Sequence, residues 1–400
     1  MTKAQFFLTL LIFTVFLSCK KDKTDNEILD YLKANQAAIS FSDVKTAQSV
    51  LPDSLIRANE VFFLSESHGV ASNAQMKLFF LKVVHNQTDT LCYFPELSFA
   101  ACRLLNQYLE LGDETLLQSV YDNYNGTYEY TKENFAFWQQ LRSYTQGLTG
   151  KKKVIVVGCD LEHQSVTALR YIRQVLGTNT PPAAIADAVN ALKTKNVLNY
   201  RSDVDFAWLQ QQTNAVATNR AVFQQFLGDK LFDLEHTLAN IRVARDWANQ
   251  SEPAMREIQL WENFKKLYPR MPKGKWFGQW GAFHTLQRGT HSSFANFVKI
   301  RTESPVFGKV LTIQTLYESG TYRDPFTVNP VAFTNLAKEN PLSNLATTDF
   351  TLFRLNNTNS PFQQQLLWWG TDEPLNDGVT LNYFQYIFLV KNPSAMTAYK

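Results

Sequence analysis

The sequence predicts an α/β fold, with a central, mainly parallel sheet, flanking helices and a helical insertion. Six short apolar or aromatic runs have the composition of strands that are buried on both faces. Amphipathic segments with helical spacing lie between most of these runs, and such alternation is typical of parallel α/β sheets. Roughly 380 residues follow the leader described below, which is enough for one large domain, and we expect it to span 46–400.

Individual elements follow from the local pattern. The predicted strands are the unbroken apolar or aromatic runs Val61–Leu64, Leu91–Phe94, Lys153–Cys159, Trp276–Trp280, Val310–Leu316 and Tyr386–Val390. The predicted helices, which carry apolar residues three or four positions apart, include Asn73–His85, Ala100–Leu111, Asn134–Leu148 and Val166–Leu176. Strands and helices therefore alternate through the first half of the domain.

The middle of the chain has a different pattern. From about 181 to 268 the spacing is helical and no strand is predicted, and Leu231, Leu234 and Leu238 form an amphipathic stripe. We interpret 181–268 as a helical insertion or cap on the α/β domain. Its last helix is predicted over Pro253–Leu267, because proline is favoured in the first turn of a helix.

The N-terminus has the features of an export signal. Lys3 precedes the twelve-residue apolar run 6–17, which is followed by Ser18 and Cys19. An apolar core of this length is typical of a secretory signal and is short for a membrane span. The Leu-Ser-Cys ending resembles a bacterial lipobox, in which the cysteine becomes the lipidated first residue of the mature protein.

We therefore predict a lipoprotein signal peptide over 1–18 and a charged, lipidated tether over 19–45. Lipid on Cys19 would attach the protein to a membrane of the bacterial cell envelope. Lys20, which stands where an aspartate would direct retention in the inner membrane, favours the outer membrane. No later stretch reaches 18 apolar residues, so no further membrane span is expected.

Composition narrows the range of partners and of thiol chemistry. The formal net charge of +3 is spread in mixed sign, and the absence of a basic stripe argues against nucleic-acid binding. Three cysteines follow Cys19, and none has CxxC spacing; two of them, Cys92 and Cys159, lie in apolar runs. We expect Cys92, Cys102 and Cys159 to be buried free thiols.

Polar residues follow four of the predicted strands, each at its C-terminal end. They are Glu66 and His68, then Glu96, then Asp160 to His163, then His284. Ligands of open parallel sheets bind beyond the carboxyl ends of the strands, so these residues are expected to converge in one cleft. Each alone is commonly a structural loop residue, but four such positions together indicate a functional site.

The spacing of Glu66 and His68 has chemical content. Residues i and i+2 of an extended segment point the same way, so the two side chains would face the cleft together. A carboxylate beside an imidazole fixes its tautomer, and the pair could act as a general base on water. The same pair could instead hold a metal ion, with Glu96 and His284 completing a mixed nitrogen and oxygen shell.

The helix predicted over Pro253–Leu267 offers a polar face. Arg256, Gln259 and Asn263 share one side of it, next to apolar Trp261. That side is either solvated or turned to the cleft. In the cleft, Arg256 could bind a substrate carboxylate or stabilise an oxyanion.

The motifs SESHG, FPEL, GCDLEH, REIQLWENF and GKWFGQWGAFH together resemble the erythromycin esterase-like superfamily. That grouping also takes in ChaN-like haem-binding lipoproteins and TraB/Tiki-type proteins, and the likeness covers roughly 55–390. Two departures stand out. Glu66-x-His68 is one residue shorter than the esterase motif, which is closer to the ChaN-like branch, and Gly281 replaces the first of two expected histidines.

The resemblance implies a set of roles. His68 would be the general base acting on water, with Glu66 and Glu96 positioning it, while Arg256 and His284 would contact substrate. Asn263 matches the family's helix motif and would also bind substrate. His163 is a further substrate-binding candidate from its position after a predicted strand alone, at the rim of the cleft.

Our leading hypothesis is a lipid-anchored hydrolase that cleaves an ester or related carbonyl of a small molecule and requires no cofactor. The sequence has no Gly-x-Ser-x-Gly elbow, which argues against a covalent serine mechanism. The alternatives are a haem- or metal-binding lipoprotein of the ChaN-like type and a metal-dependent peptidase-like enzyme. Fold alone does not decide among them.

Overall fold

The structure is a computed structural model that describes residues 24–250, 252–289, 292–327, 329–371 and 375–400. The predicted signal peptide and Cys19 lie outside the described residues. Within them, no helix has both the length and the apolar composition that a bilayer crossing requires.

The strands are β1 (Gln36–Ala38), β2 (Val61–Glu66), β3 (Thr90–Tyr93), β4 (Lys153–Val156), β5 (Lys275–Gly281), β6 (Val310–Tyr317), β7 (Gly320–Tyr322), β8 (Val331–Phe333), β9 (Phe350–Arg354) and β10 (Tyr386–Val390). The helices are α1 (Asp25–Ala34), α2 (Asp53–Ala58), α3 (Ser72–His85), α4 (Phe99–Leu111), α5 (Glu114–Tyr121), α6 (Lys132–Gln146), α7 (Ser165–Leu176), α8 (Ala186–Thr194), α9 (Asp203–Thr218), α10 (Arg220–Leu227), α11 (Lys230–Gln250), α12 (Pro253–Leu267), α13 (Ala282–Thr285), α14 (Phe294–Ile300) and α15 (Leu342–Leu345).

Eight strands form one sheet in the order β1-β9-β10-β6-β2-β5-β3-β4. The six strands from β10 to β4 are parallel to their neighbours, and β9 joins antiparallel to both β10 and β1. The predicted α/β class with a mainly parallel sheet is therefore confirmed. All six predicted strands belong to this parallel part.

The centre of the sheet is buried because its strands are apolar on both faces. Every residue of β5 and β6 is buried, and the indoles of Trp276 and Trp280 on β5 are at most 1% exposed. Helices flank the sheet, and the described part of 181–268 contains helices and no strand. Cys92, Cys102 and Cys159 are free and buried, as expected.

Two differences from the sequence-based expectations concern the edges. Strands β1 and β9 extend the sheet and were not predicted, because their runs are short or interrupted by threonine and arginine. Strand β4 ends at Val156, before the predicted end at Cys159. The chain beyond it crosses the β3–α4 loop so closely that a Cβ on Gly158 would lie 2.1 Å from the Ser98 carbonyl oxygen.

Helix ends place the loops that carry polar side chains. The Ser98 side chain accepts a hydrogen bond from the Ala101 amide and starts α4, which ends at Gly112 in the left-handed region. Pro253 occupies the first turn of α12, where its missing N–H is no loss. These signals set where α4 and α12 begin.

Candidate functional site

Four adjacent strands, β2, β5, β3 and β4, direct polar side chains to one place at their carboxyl ends. Helix α12 brings a cation and a further carboxylate to the same place. The seven residues that form this carboxylate–histidine cluster are Glu66, His68, Glu96, Asp160, Arg256, Glu257 and His284. The structure thus brings together Glu66, His68, Glu96 and His284 from three different strand ends.

Glu66 and His68 form the pair that their spacing predicts. Glu66 Oε1 lies 2.7 Å from His68 Nδ1, and the imidazole stacks on the Tyr128 ring with centroids 5.1 Å apart. With its amide oriented to satisfy its neighbours, Gln279 donates to Glu66 Oε2 at 3.0 Å. Both carboxylate oxygens of Glu66 are therefore held, and one of them fixes the imidazole.

The charge around His68 favours its protonated form. Burial lowers the pKa of the imidazole, but its hydrogen bond to Glu66 and the charges of Glu96 and Glu66 raise the pKa above its ordinary value. The side chain is nevertheless 36% exposed, and its Nε2 lies 3.9 Å from Glu96 Oε2. That separation is longer than a hydrogen bond, so Nε2 is open to the cavity.

Glu96 stands between the two histidines. Its Oε2 accepts from the Gly281 amide at 2.7 Å, and its Oε1 accepts from Arg256 Nη2 at 2.7 Å. The His284 Nε2 lies 3.4 Å from the same Oε1. Burial raises the pKa of this carboxyl, but the charges of His284 and Arg256 hold it well below its usual range. Glu96 is thus a fixed anion.

Arg256 makes a fork with Asp160. Arg256 Nε donates to Oδ1 at 3.0 Å and Nη2 donates to Oδ2 at 2.6 Å, which is the strong bidentate geometry. Asp160 is 2% exposed, and although burial raises its pKa, Arg256 and His163 lower it far more. The two carboxylates of Asp160 and Glu96 in turn raise the pKa of the guanidinium.

His284 is held on both sides. Its Nδ1 lies 2.6 Å from Glu257 Oε1, and its Nε2 lies 3.0 Å from Arg256 Nη1. Burial lowers the pKa of this imidazole, but Glu96 and Glu257 raise it to about 9 despite the opposing charge of Arg256. With an exposed fraction of 7%, His284 lies behind Glu96 and Arg256.

Gly281 explains one departure from the family motif. A Cβ at this position would lie 3.2 Å from His68 Nε2 and 3.4 Å from Glu96 Oε2. The space that a side chain would need at the end of β5 is therefore taken by the His68 imidazole. Gly281 and the shortened Glu66-x-His68 motif are therefore compatible, because the missing side chain at Gly281 leaves room for the His68 imidazole.

A cavity of about 630 Å³ opens over the cluster. Glu66, His68, Glu96, Asp160 and Arg256 line it together with aromatic side chains, and its remaining walls include Tyr93, Tyr124, Tyr128, Trp138, Trp247 and Phe326. Its size suits a small-molecule ligand.

The two remaining predicted residues differ in their placement. His163 lines the cavity near Trp247, with its Nε2 3.6 Å from Asp160 Oδ1. Asn263 is fully buried behind the cluster, where its amide donates to the Cys159 carbonyl oxygen and to Asn240. The structure therefore gives Asn263 a bracing position and no route to a substrate.

Two members of the cluster were not selected from the sequence. Asp160 directly follows a predicted strand, so its position in the sequence indicates the site, although the predicted substrate-binding role falls on His163, three residues later. Glu257 adjoins Arg256 on α12, and its role depends on His284, which arrives from a distant part of the chain. The position of Asp160 after a predicted strand indicates that it belongs to the site. For Glu257, only the resemblance to the family's helix motif gives such an indication.

The proposed metal shell does not fit the observed donors. Among the described residues, no group of three histidine, cysteine, aspartate or glutamate side chains is arranged to hold a metal ion. Both Glu96 oxygens accept hydrogen bonds from Arg256 and Gly281, and His284 Nδ1 faces Glu257. A guanidinium already supplies the positive charge that a cation would bring.

Comparison with solved structures places the fold. A Bacillus cereus protein superposes with a TM-score of 0.67 and 15% identity, covering 94% of this chain and 100% of that one. A succinoglycan biosynthesis protein gives a TM-score of 0.66 and 13% identity, with 94% and 98% covered. A mutant of the erythromycin esterase EreC in its open conformation gives 0.61 and 12%, with 90% and 96% covered.

The chain therefore has the erythromycin esterase-like fold, which confirms the resemblance seen in the sequence motifs at the level of structure. Identities of 12–15% establish the fold alone. The sequence matches no protein-family model and no curated protein.

Proposed function

We propose that this protein is a hydrolase of ester bonds in which His68 acts as a general base on water. The observation that carries the proposal is the orientation of the His68 imidazole. Its Nδ1 is held by Glu66 at 2.7 Å, while its Nε2 faces the cavity without a hydrogen-bond partner among the described residues. The Glu66 carboxylate accepts the Nδ1 proton, which leaves Nε2 as the basic nitrogen.

The remaining cluster supports this chemistry. His68 Nε2 takes a proton from water, and the water oxygen attacks the ester carbonyl to form a tetrahedral oxyanion. Arg256 commits three of its five N–H groups, one on Nε and two on Nη2, to Asp160 and Glu96, which leaves its Nη1 amino group. We assign that group to the developing oxyanion, since preorganised donors stabilise such charge.

The pairings also keep the cluster rigid. Asp160 holds the Arg256 guanidinium, and Glu257 holds the His284 imidazole. Neither cation must therefore reorganise when charge develops in the cavity. Asn263 braces α12 from behind by binding the Cys159 carbonyl oxygen. We therefore treat these three residues as positioning groups.

For the location of the protein we propose the bacterial outer membrane, with lipid on Cys19 as the anchor. The support is the leader and its lipobox-like ending in the sequence. The predicted tether 19–45 contains α1 and β1, which belong to the folded domain, so only the charged residues between Cys19 and α1 would act as the tether. They would place the catalytic domain outside the bilayer, where a small-molecule ester can reach the cavity.

His68→Asn tests the proposed base. We expect kcat on a panel of small esters to fall by about 10²–10⁴-fold, the usual contribution of general acid–base catalysis. The melting temperature should change little, because the asparagine amide can still donate to Glu66 and the side chain is partly exposed.

His85→Asn is the matched control. His85 is fully buried on α3, away from the cavity, and its Nδ1 lies 2.8 Å from the Tyr144 hydroxyl. This variant should lose stability and keep its activity per folded molecule. Full activity of a folded His68→Asn protein on a substrate that the parent cleaves would remove His68 from the mechanism.

The same preparations decide the alternatives. Metal analysis and an absorption spectrum of the purified chain are measured before any addition. Ester cleavage that survives a chelator agrees with the proposal. A Soret band that shifts in His68→Asn, without ester cleavage by the parent, would replace the hydrolase proposal with haem binding.

A further inference from the structure

A group of hydrogen-bond donors lines the cavity apart from the carboxylate–histidine cluster. It consists of Lys77 on α3, Tyr124 in a short helical turn after α5, and Trp138 on α6. We call these three residues the donor pocket. Neither the sequence motifs nor the proposed water activation uses any of them.

Lys77 is the unusual member, because lysine is almost never buried without a partner. Its side chain is 7% exposed, and its ammonium lies 4.5 Å from the centre of the Phe137 ring. Nζ donates to Asn134 Oδ1 at 3.1 Å, and no described carboxylate forms an ion pair with it. Two of its three N–H groups are therefore uncommitted on the wall of the cavity.

The other two members are also unsatisfied. The Tyr124 hydroxyl and the Trp138 indole nitrogen are buried and make no hydrogen bond of acceptable geometry within the described residues. Their residues are 2% and 1% exposed. Leaving a buried donor unpaired costs about 1–3 kcal/mol, so two on one cavity wall indicate a ligand that supplies acceptors.

Glu129, the nearby carboxylate, does not fill this need. Its Oε1 accepts from the Tyr121 hydroxyl at 3.0 Å and its Oε2 accepts from the Asn134 amide at 3.0 Å. Burial raises the pKa of this carboxyl, even though the charge of Lys77 and the neighbouring Tyr121 hydroxyl and Trp138 N–H oppose the shift. Glu129 therefore fixes Asn134 and has Trp138 as a neighbour, while the Tyr124 hydroxyl and two N–H groups of Lys77 remain without an acceptor among the described residues.

We propose that the donor pocket binds a carboxylate of the substrate, so that the preferred substrates are esters which also carry a carboxylate. The ammonium of Lys77 supplies the charge, and the Tyr124 hydroxyl and Trp138 N–H supply directed donors. This inference rests on the proposed function in one respect: it assigns the carboxylate to the molecule whose ester is cleaved at His68.

Binding without turnover tests the pocket. The probes are the monomethyl esters of succinate, glutarate and adipate, each compared with an uncharged methyl ester of the same length. Affinity is measured by calorimetry on the full chain carrying His68→Asn, which keeps the cavity and removes the proposed base. Adding Lys77→Met, which preserves side-chain length, should weaken binding of the charged probe by about 10- to 100-fold.

Finer variants separate the donors from general packing. Tyr124→Phe and Trp138→Phe remove one hydroxyl or one indole N–H, and each should weaken the charged probe by about 3- to 10-fold. None of the three changes should alter binding of the uncharged esters more than about 2-fold. Melting curves establish that every variant is folded.

The outcomes are distinct. Equal affinity for charged and uncharged esters at all three lengths would overturn the carboxylate pocket and mean that water satisfies its donors. Preference for the charged probe that survives Lys77→Met would overturn it as well. Charge-dependent binding lost with Lys77, in a chain that cleaves no ester, would sustain the pocket and reject the hydrolase proposal.

Discussion

Replacing Glu66 by glutamine removes a charge beside His68 and leaves the contact in place. In the parent, the Glu66 carboxylate lies 2.7 Å from His68 Nδ1. The amide oxygen of the glutamine can still accept a hydrogen bond from His68 Nδ1, so the imidazole keeps its tautomer. Only the electrostatic preference for the protonated imidazole is lost. The change therefore isolates the part of the His68 pKa that comes from the Glu66 charge.

The magnitude follows from the geometry. With charge centres about 4 Å apart and an effective dielectric constant near 20, the interaction is about 4 kcal/mol, or about three pKa units. Because His68 is 36% exposed, solvent screens part of this. We expect the pKa of His68 to fall by about 1–2 units in Glu66→Gln.

The assay is the pH dependence of kcat/KM for ester cleavage. A general base must be deprotonated, so activity in the parent should rise with pH through a pKa above 6.5, because the net effect of the surroundings raises the pKa of His68. In Glu66→Gln this rising limb should move to lower pH by about 1–2 units.

Glu60→Gln is the control, at the residue that directly precedes the same strand. Glu60 precedes β2 at the opposite end of the sheet, where its Oε2 lies 3.6 Å from Lys275 Nζ. In Glu60→Gln, the rising limb of the pH profile of kcat/KM should lie at the same pH as in the parent. A limb that stays fixed in Glu66→Gln, with kcat/KM otherwise measurable, would show that the titrating group is not His68.

Three further outcomes are expected. Arg256→Met leaves the buried Asp160 carboxylate without its partner and should lower the free energy of unfolding by about 3–5 kcal/mol, as measured by denaturant titration; a loss below 1 kcal/mol would contradict the buried fork. Gly281→Ala brings a methyl group to 3.2 Å from His68 Nε2 and should reduce kcat/KM at least about 10-fold with little change in melting temperature; unchanged kinetics would place the reacting atoms elsewhere. Cys19→Ala should move the protein out of the detergent phase, and an unchanged membrane fraction would refute lipidation.

The buried centre of the fold was predictable because apolar runs mark it directly. The final strand, Tyr386–Val390, and the helix Pro253–Leu267 have the predicted bounds. Strand β9 was missed although Leu352 and Phe353 in it are fully buried, because its threonine and arginine interrupt the apolar run. The two strands on the antiparallel side of the sheet, β1 and β9, have only three and five residues, and their sequence signal is correspondingly weak.

The site was predictable where one strand end held the whole signal. Glu66 and His68 are two residues apart, so their contact follows from local geometry. The partnership of Arg256 with Asp160 joins residues 96 positions apart and is decided by where α12 packs. Lys77 was overlooked for a similar reason, since a lysine in an amphipathic helix ordinarily faces solvent, and only packing against α6 buries it.

The strand order has a consequence for how the chain folds. Strand β5 lies between β2 and β3 in the sheet but is made long after both, and its Gly281 meets Glu96 across 185 positions. Contacts at such separation require closure of a long loop and tend to form late. A nascent chain that has completed β2, β3 and β4 must therefore keep a gap for a strand not yet synthesised. Until β5 enters that gap, Glu96 lacks the Gly281 amide and the His284 imidazole, so the carboxylate–histidine cluster is incomplete until this late strand is in place.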